Sequence, residues 1–425
     1  MTLPSHPHLQ RTAGRLGLDG HDLTALARQW GTPLYAYSAP AMRAAATGYL
    51  QALQGHPHLL CYAMKANSSL AVLQLFARMG LGFDIVSGGE LQRVLAAGGQ
   101  PQRVVFSGVG KSRADMRLAL EAGIKCFNVE SLAELDVLSE VAMALGREAP
   151  VSLRVNPDVD AGTHPYISTG LKDNKFGIAH HEAVAAYRQA AQRPGLKVVG
   201  IDCHIGSQIT ELSPYLDALH KVLDLVDTLA AEGLEVQHID VGGGLGITYT
   251  DEAPPSAGSL VTAVLDTLKA RGHGHRELLM EPGRSLVGNA GVLLTEVLYL
   301  KPSTDGGKQF CIVDAAMNDL VRPAMYEAYM GIEACEAHAD RPSQRWDVVG
   351  PVCESGDWLG RDRQLSVAAG DVLAVLSAGA YGMTMASNYN SRGRAAELLI
   401  DTDGVHLIRQ RESHADLMRH EQLLP

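Results

Sequence analysis

The sequence has no apolar run approaching the roughly 18 residues that suggest a membrane-spanning helix, and no membrane partner is expected. It also lacks an excess of positive charge. Its 36 Lys and Arg stand against 47 Asp and Glu, a net charge of −11, whereas a nucleic-acid binder needs clustered cations to neutralise phosphates. The six cysteines, at positions 61, 126, 203, 311, 335 and 353, form no CxxC and no close pair. That spacing excludes a disulfide framework and a zinc ribbon, and most such thiols are inert core residues. HHEAV (180–184) lacks the second histidine of a zinc-protease motif, and no metal is expected. The opening residues, MTLPSHPHLQRTAGRLGLDG, show neither the apolar core nor the cleavage site of a secretory signal, so a cytoplasmic location is expected. Internal repeats of solenoid type and low-complexity segments are absent as well.

What is present is an ordinary globular composition of 46% apolar and 20% charged residues, over 425 positions. That length suggests two or three domains, and the composition excludes global disorder. From about residue 59 a rhythm sets in. Short apolar runs end in Gly, Ser, Asn or Asp, and a helix-like stretch follows each. The runs are 59–66, 82–87, 103–108, 126–131, 151–157, 198–206, 238–244 and 277–283. Near-continuous apolar runs suit strands buried on both faces, and parallel strands need helical crossovers. Eight such units over roughly 225 residues match the size of a (β/α)8 TIM-type barrel, with a doubly wound open sheet as the alternative.

After residue 285 the apolar runs at 290–300, 309–316, 344–352, 371–379 and 396–408 are separated by turns rather than long helices. They predict a C-terminal antiparallel β-barrel or sandwich domain. The expected α/β architecture is therefore a barrel over 41–285 and a β domain over 286–425. Residues 1–40, with the strand candidate PLYAYSA (33–39), would add a strand to the second.

Unusual polar residues close the eight runs: Lys65, Asp84, Ser107, Glu130, Asn156, His204, Gly242 to Gly244, then Glu281 with Arg284. Barrel active sites form at that face. A lysine beside apolar walls has its charged form disfavoured and becomes a usable nucleophile, although a lone strand-end lysine is more often a surface residue. DVGGGLG (240–246) offers backbone N–H groups to an anion, but Ile247 stands where the Rossmann spacing needs glycine. SGVGKS (107–112) fails the P-loop spacing at Val105, so nucleotide binding is discarded. Taken singly, each glycine run can be a tight turn, His204 a hydrogen-bonded structural residue, and Glu281 with Arg284 an ion pair. Taken together, an amine, a phosphate cradle, a flat aromatic and a carboxylate are what pyridoxal 5'-phosphate requires. That cofactor uses a Lys Schiff base and an acidic partner for its ring nitrogen.

The motifs YAMKAN (62–67), FDIVSGGEL (83–91), SGVGKS, FNVESLAEL (127–135), RVNPDVDAGTHPYISTGLKDNKFGI (154–178), CHIGSQI (203–209), DVGGGLGI and EPGRSLV (281–287) continue into MNDLVRPAMYEAY (317–329), GPVCESGDWL (350–359) and SAGAYGMTMASNYN (377–390). In order and over nearly the whole chain, they resemble the diaminopimelate decarboxylases, fold-type III pyridoxal-phosphate enzymes with an alanine-racemase-like barrel and a C-terminal β domain. NDLVRPAMYEAY and CESGD are more particular to that branch than the motifs shared with ornithine decarboxylases. The resemblance implies that Lys65 holds the cofactor covalently with Asp84 near its amine. His204 would stack on the ring and Glu281 would bind its nitrogen. Ser207, the Gly243 loop, Tyr381 and the Pro282–Gly283–Arg284 turn would hold the phosphate. Arg284, Arg322 and Tyr326 would grip the substrate's distal carboxylate, Glu354 its distal amine, and Cys353 would return the proton. It further implies a homodimer with shared sites, the CESGD loop reaching the partner's.

Two points of chemistry agree. Two arginines suit a dicarboxylate, since Arg forks bind carboxylates bidentately, whereas ornithine would leave them unpaired. A thiol of pKa about 8.5 is mostly protonated at neutral pH and can act as an acid. The expected reaction is conversion of meso-2,6-diaminopimelate to L-lysine and CO2. The alternatives are decarboxylation of ornithine, lysine or a related amino acid, and, remotely, a non-catalytic pyridoxal-phosphate carrier.

Overall fold

The computed structural model describes residues 2, 3, 6–160 and 175–425. Part of the long RVNPDVDAG…KFGI motif, residues 161–174, lies outside the described residues. The chain divides into two compact units, one of residues 45–247 and 253–285, the other of residues 1–44, 248–252 and 286–425.

The first unit is a closed parallel barrel. Its eight strands are His58–Ala63, Gly82–Ile85, Val104–Phe106, Cys126–Val129, Ala149–Asn156, Leu196–Asp202, His238–Asp240 and Glu277–Met280, one in each predicted run. The eighth pairs with the first, Leu278 opposite His58 and Met280 opposite Leu60, so the open-sheet alternative falls. Leu59, Cys61, Val105, Cys126, Val199 and Leu279 form a core cluster that reaches across five of these strands. Serines start the helices that follow the second, third and fourth strands. Ser87, Ser112 and Ser131 each accept a backbone N–H from the first turn of Gly88–Ala96, Arg113–Ala122 and Leu132–Leu145. Caps of this kind contribute about 1 kcal/mol each. They also fix where each strand stops, and so which side chains stand at the C-terminal rim.

In the second unit Leu34–Ser38 is buried at every position and lies between Gly291–Lys301, antiparallel, and Ala396–Asp401, parallel. Each of the five predicted β runs contains a strand, the last forming a hairpin of Ala396–Asp401 and Gly404–Arg409. The sheet is mostly antiparallel, with a second parallel pairing of Phe310–Ile312 on Asp347–Val349. Ile332–Ala334 and Trp358–Leu365 are strands the sequence pattern does not announce. The first is three residues long, and the second, WLGRDRQL, is too polar to stand out as an apolar run. His6–Thr12 and Arg15–Leu18 form a further hairpin, whose turn has positive φ at Ala13 (49°) and Gly14 (81°) as the tightest hairpins require. Leu9, Leu16, Leu34, Val292, Leu398 and Ile400 belong to one core cluster. Among the described residues no helix is long and apolar enough to cross a membrane.

Candidate active site

In the barrel unit Lys65 sits in the single turn Met64–Ala66 that ends the first strand. Its Nζ lies 2.5 Å from Oδ2 of Asp84, at the end of the second strand. The Asp84 side chain is fully buried, while that of Lys65 is 38% exposed. A buried carboxylate thus holds and aims the amine.

His204 and the glycine turn are built together. Nδ1 of His204 accepts the N–H of Gly243 at 3.2 Å, so the ring proton of the neutral imidazole belongs on Nε2. Burial, with the nearby charges of Arg154 and Lys65, pushes the His204 pKa well below its ordinary value, and the ring is uncharged. The turn tolerates only glycine at 243, where an added Cβ would lie 2.1 Å from the Glu281 carbonyl oxygen. The Glu281 N–H donates to the Gly242 carbonyl at 2.7 Å, and the Ala63 N–H donates to the Pro282 carbonyl at 3.0 Å. These bonds tie the Glu281–Pro282–Gly283 turn both to the glycine turn and to the strand that carries Lys65. A Cβ at Gly283 would press to 3.1 Å from the Ala63 carbonyl. Arg284 is buried and donates from Nη2 to Ser207 Oγ at 3.0 Å.

The Glu281 carboxyl accepts from Asn128 Nδ2 at 3.3 Å. Burial, then the negative charges of Asp240, Asp84 and Asp202, push its pKa well above the carboxylate range. Beside it, Glu130 accepts from Arg154 Nη1 at 2.9 Å and from the backbone N–H groups of Gly108 (3.1 Å) and Gly177 (2.8 Å). Lys111 of SGVGKS is buried against the Glu134 carboxylate and the carbonyls of Gly108 and Asn128, which gives that motif a structural role.

In the sheet unit the Arg322 guanidinium carbon is buried 5.5, 5.7 and 5.9 Å from the ring centres of Tyr249, Tyr326 and Tyr381. These are cation–π distances, and the rings leave a planar fork held in place. Cys353 is exposed, whereas the other five cysteines are buried and burial raises their pKa values. Its backbone N–H donates to Asn390 Oδ1 at 3.2 Å, and Tyr389 donates to Glu354 Oε1 at 2.5 Å. Asp357 fastens this loop by accepting the N–H groups of Met317 (2.6 Å) and Val352 (2.7 Å).

The structure thus joins Lys65 with Asp84, His204 with Gly243, Ser207 with Arg284, and Arg322 with Tyr326 and Tyr381. Cys353 and Glu354 share a loop bonded to Asn390 and Tyr389. Sequence reasoning missed Asn128, Arg154, Asp202, Asp240 and Tyr249. For Asn128 the available signal was a polar residue within a short apolar strand; Arg154, Asp202 and Asp240 share their strands with other polar residues and do not stand out.

A family model described as "Pyridoxal-dependent decarboxylase, pyridoxal binding domain" matches residues 41–288. The chain is 58% identical to a diaminopimelate decarboxylase of Pseudomonas aeruginosa over 407 residues, covering 96% of this chain and 97% of that protein. It is 53% identical to the diaminopimelate decarboxylase of Vibrio cholerae, covering 97% and 98%. Among solved structures, the diaminopimelate decarboxylase of M. jannaschii in complex with L-lysine superposes with a TM-score of 0.94 at 40% identity, covering 100% of this chain and 99% of that one.

Proposed function

The chain belongs to the diaminopimelate decarboxylase family of pyridoxal-dependent decarboxylases, and from that premise we propose how its residues convert meso-2,6-diaminopimelate to L-lysine and CO2, the last step of lysine biosynthesis. The observation that carries the substrate reading is Arg322, a buried guanidinium ringed by three tyrosines. Such a rigid fork suits a carboxylate remote from the one that leaves.

The residues present fit pyridoxal 5'-phosphate. An amine sits on a buried carboxylate, and a glycine turn has no room for side chains. A hydroxyl lies beside an arginine, and an uncharged imidazole stands near a buried carboxyl group. When bound, the cofactor supplies the electron sink that loss of CO2 from an amino acid requires. Lys65 would hold it covalently while Asp84 orients the amine. Glu281 would face the ring nitrogen, and His204, being neutral, would offer a flat face without repelling a protonated ring. Ser207, the Gly243 turn, the Gly283–Arg284 backbone and Tyr381 would bind the phosphate.

Arg284, Arg322 and Tyr326 would bind the distal carboxylate and Glu354 the distal amine, which sets the scissile bond by positioning. Cys353 would give its thiol proton to the carbon that has lost CO2. The protein would work as a cytoplasmic homodimer in which the CESGD loop of one subunit completes the partner's site. Exposed Met325, Tyr329 and Tyr389, in or beside the substrate motifs, support a surface that association covers.

CO2 release by the purified, cofactor-loaded protein, offered meso-diaminopimelate and L-ornithine separately, tests the substrate. Release from diaminopimelate alone, with lysine as product, is expected. Release from ornithine alone would overturn the reading of Arg322.

A further inference from the structure

Asp202, Asp240 and Glu281 end or follow the sixth, seventh and eighth barrel strands, and oxygens of the three lie within 4.8 Å of one another. All three are buried. Asp240 Oδ1 accepts the Gly242 N–H at 2.9 Å, while among the described residues no hydrogen-bond partner lies on its Oδ2 or on the Oδ1 of Asp202, both buried. Buried acceptors without a donor are costly, and three adjacent carboxylates cannot all stay ionised. A proton between two of them answers both problems.

We propose that Asp240 is a positioning residue that shares one proton with Glu281 and, once a protonated ring nitrogen draws Glu281 into its charged form, holds that proton as a neutral acid and donates a hydrogen bond to the Glu281 carboxylate. The proposal rests on the reading of Glu281 given above, and on the geometry for Asp240 itself. Burial, opposed by the Gly242 N–H and by hydrogen bonding with Glu281 and Asn128, and reinforced by Asp84, pushes the Asp240 pKa up to about 7. The acids facing the cluster are Asp84, Glu130 and the thiols of Cys61, Cys126 and Cys203. Lys65, felt by Glu281, and Arg154, felt by Asp202, supply the positive charge. A carboxyl whose pKa rises on folding binds more protons folded than unfolded, so its contribution to stability is lost as pH rises from its unfolded pKa near 4 to about 7.

Asparagine reproduces the neutral acid: its oxygen can accept from Gly242 and its amide can donate to Glu281. In the cofactor-loaded protein, Asp240→Asn is expected to keep the wild-type absorption band and its pH profile, with cofactor affinity within about threefold of wild type. Asp240→Ala is expected to weaken cofactor affinity about tenfold or more, the loss of a hydrogen bond to a charged group. In the apoprotein, the melting temperature of Asp240→Asn should fall less than that of wild type as pH rises through this window. His6 and His238 slope the other way, because their pKa values are lowered to about 4 and 3. The difference between variant and wild type removes their contribution.

Two results would overturn the proposal. One is an Asp240→Asn protein whose cofactor spectrum and affinity match those of Asp240→Ala, which would mean that Asp240 acts as an anion. The other is an apoprotein whose melting temperature rises by several degrees with magnesium or calcium and not in Asp240→Asn, which would mean that a cation neutralises the cluster. Glu281→Gln tests the underlying reading separately. If it leaves the cofactor band and affinity unchanged, the ring-nitrogen role fails, whatever the apoprotein melting curves show.

Discussion

Cys353 and Arg322, proposed as proton donor and carboxylate anchor, stand in opposite surroundings, the thiol exposed on a loop and the guanidinium buried among tyrosines. A group that delivers a proton must meet substrate, and a group that sets specificity must be rigid and dry. Replacing Cys353 by Ala is expected to lower kcat by about 100-fold or more, the usual worth of a positioned acid, while the cofactor's absorption is retained. Steady-state CO2 release and an absorption spectrum check both halves of that expectation. Arg322→Lys keeps the charge and loses the planar fork, so KM for diaminopimelate should rise roughly 10- to 100-fold with cofactor affinity unchanged. An unchanged KM would mean that the distal carboxylate is bound elsewhere.

The elements that carry the candidate site in the barrel are the turns that follow its strands, held to one another by buried bonds rather than by their own propensity. Glu130 is the clearest joint, since its carboxylate bonds the turn after the third strand, the fifth strand and the segment at Gly177. Its side chain and that of Arg154 are 2% and 7% exposed. Removing one member leaves the other charge buried without its counterion, and Glu130→Ala is expected to destabilise the protein by about 3–5 kcal/mol in urea unfolding. The double replacement Glu130→Met with Arg154→Leu should recover part of that loss, because it removes the orphaned charge but leaves the N–H groups of Gly108 and Gly177 without their acceptor.

The whole molecule has 425 residues, and its predicted site residues fall in two units of different architecture. If the sites are shared across a homodimer, Lys65→Ala and Cys353→Ala are each inactive alone but complement in mixed dimers. Random reassortment makes half the dimers mixed, each with one intact site, so equal mixtures should regain about one quarter of wild-type activity. No recovery after unfolding and refolding the mixture would place both residues in the same subunit's site. Sedimentation of the unmixed protein gives the oligomeric state independently.

The sequence by itself determined the barrel, because strands buried on both faces by flanking helices must be nearly continuous apolar runs, and eight of them stand in the chain at crossover spacing. It also exposed Lys65, Asp84, His204 and Glu281, since a polar residue closing such a run is conspicuous. Tertiary structure alone decided what these residues touch. Asp84 becomes the partner of Lys65 because adjacent parallel strands end at the same level, and Asp202 and Asp240 meet Glu281 for the same reason, which neither the DVGGGLG motif that begins at Asp240 nor the residues around Asp202 announce. Tyr249 follows the seventh strand in the chain yet packs on Arg322, more than seventy residues later. Leu34–Ser38 joins strands that come some 250 and 360 residues after it. Local pattern records how each segment is buried; which distant segment buries it is settled only when the chain closes on itself.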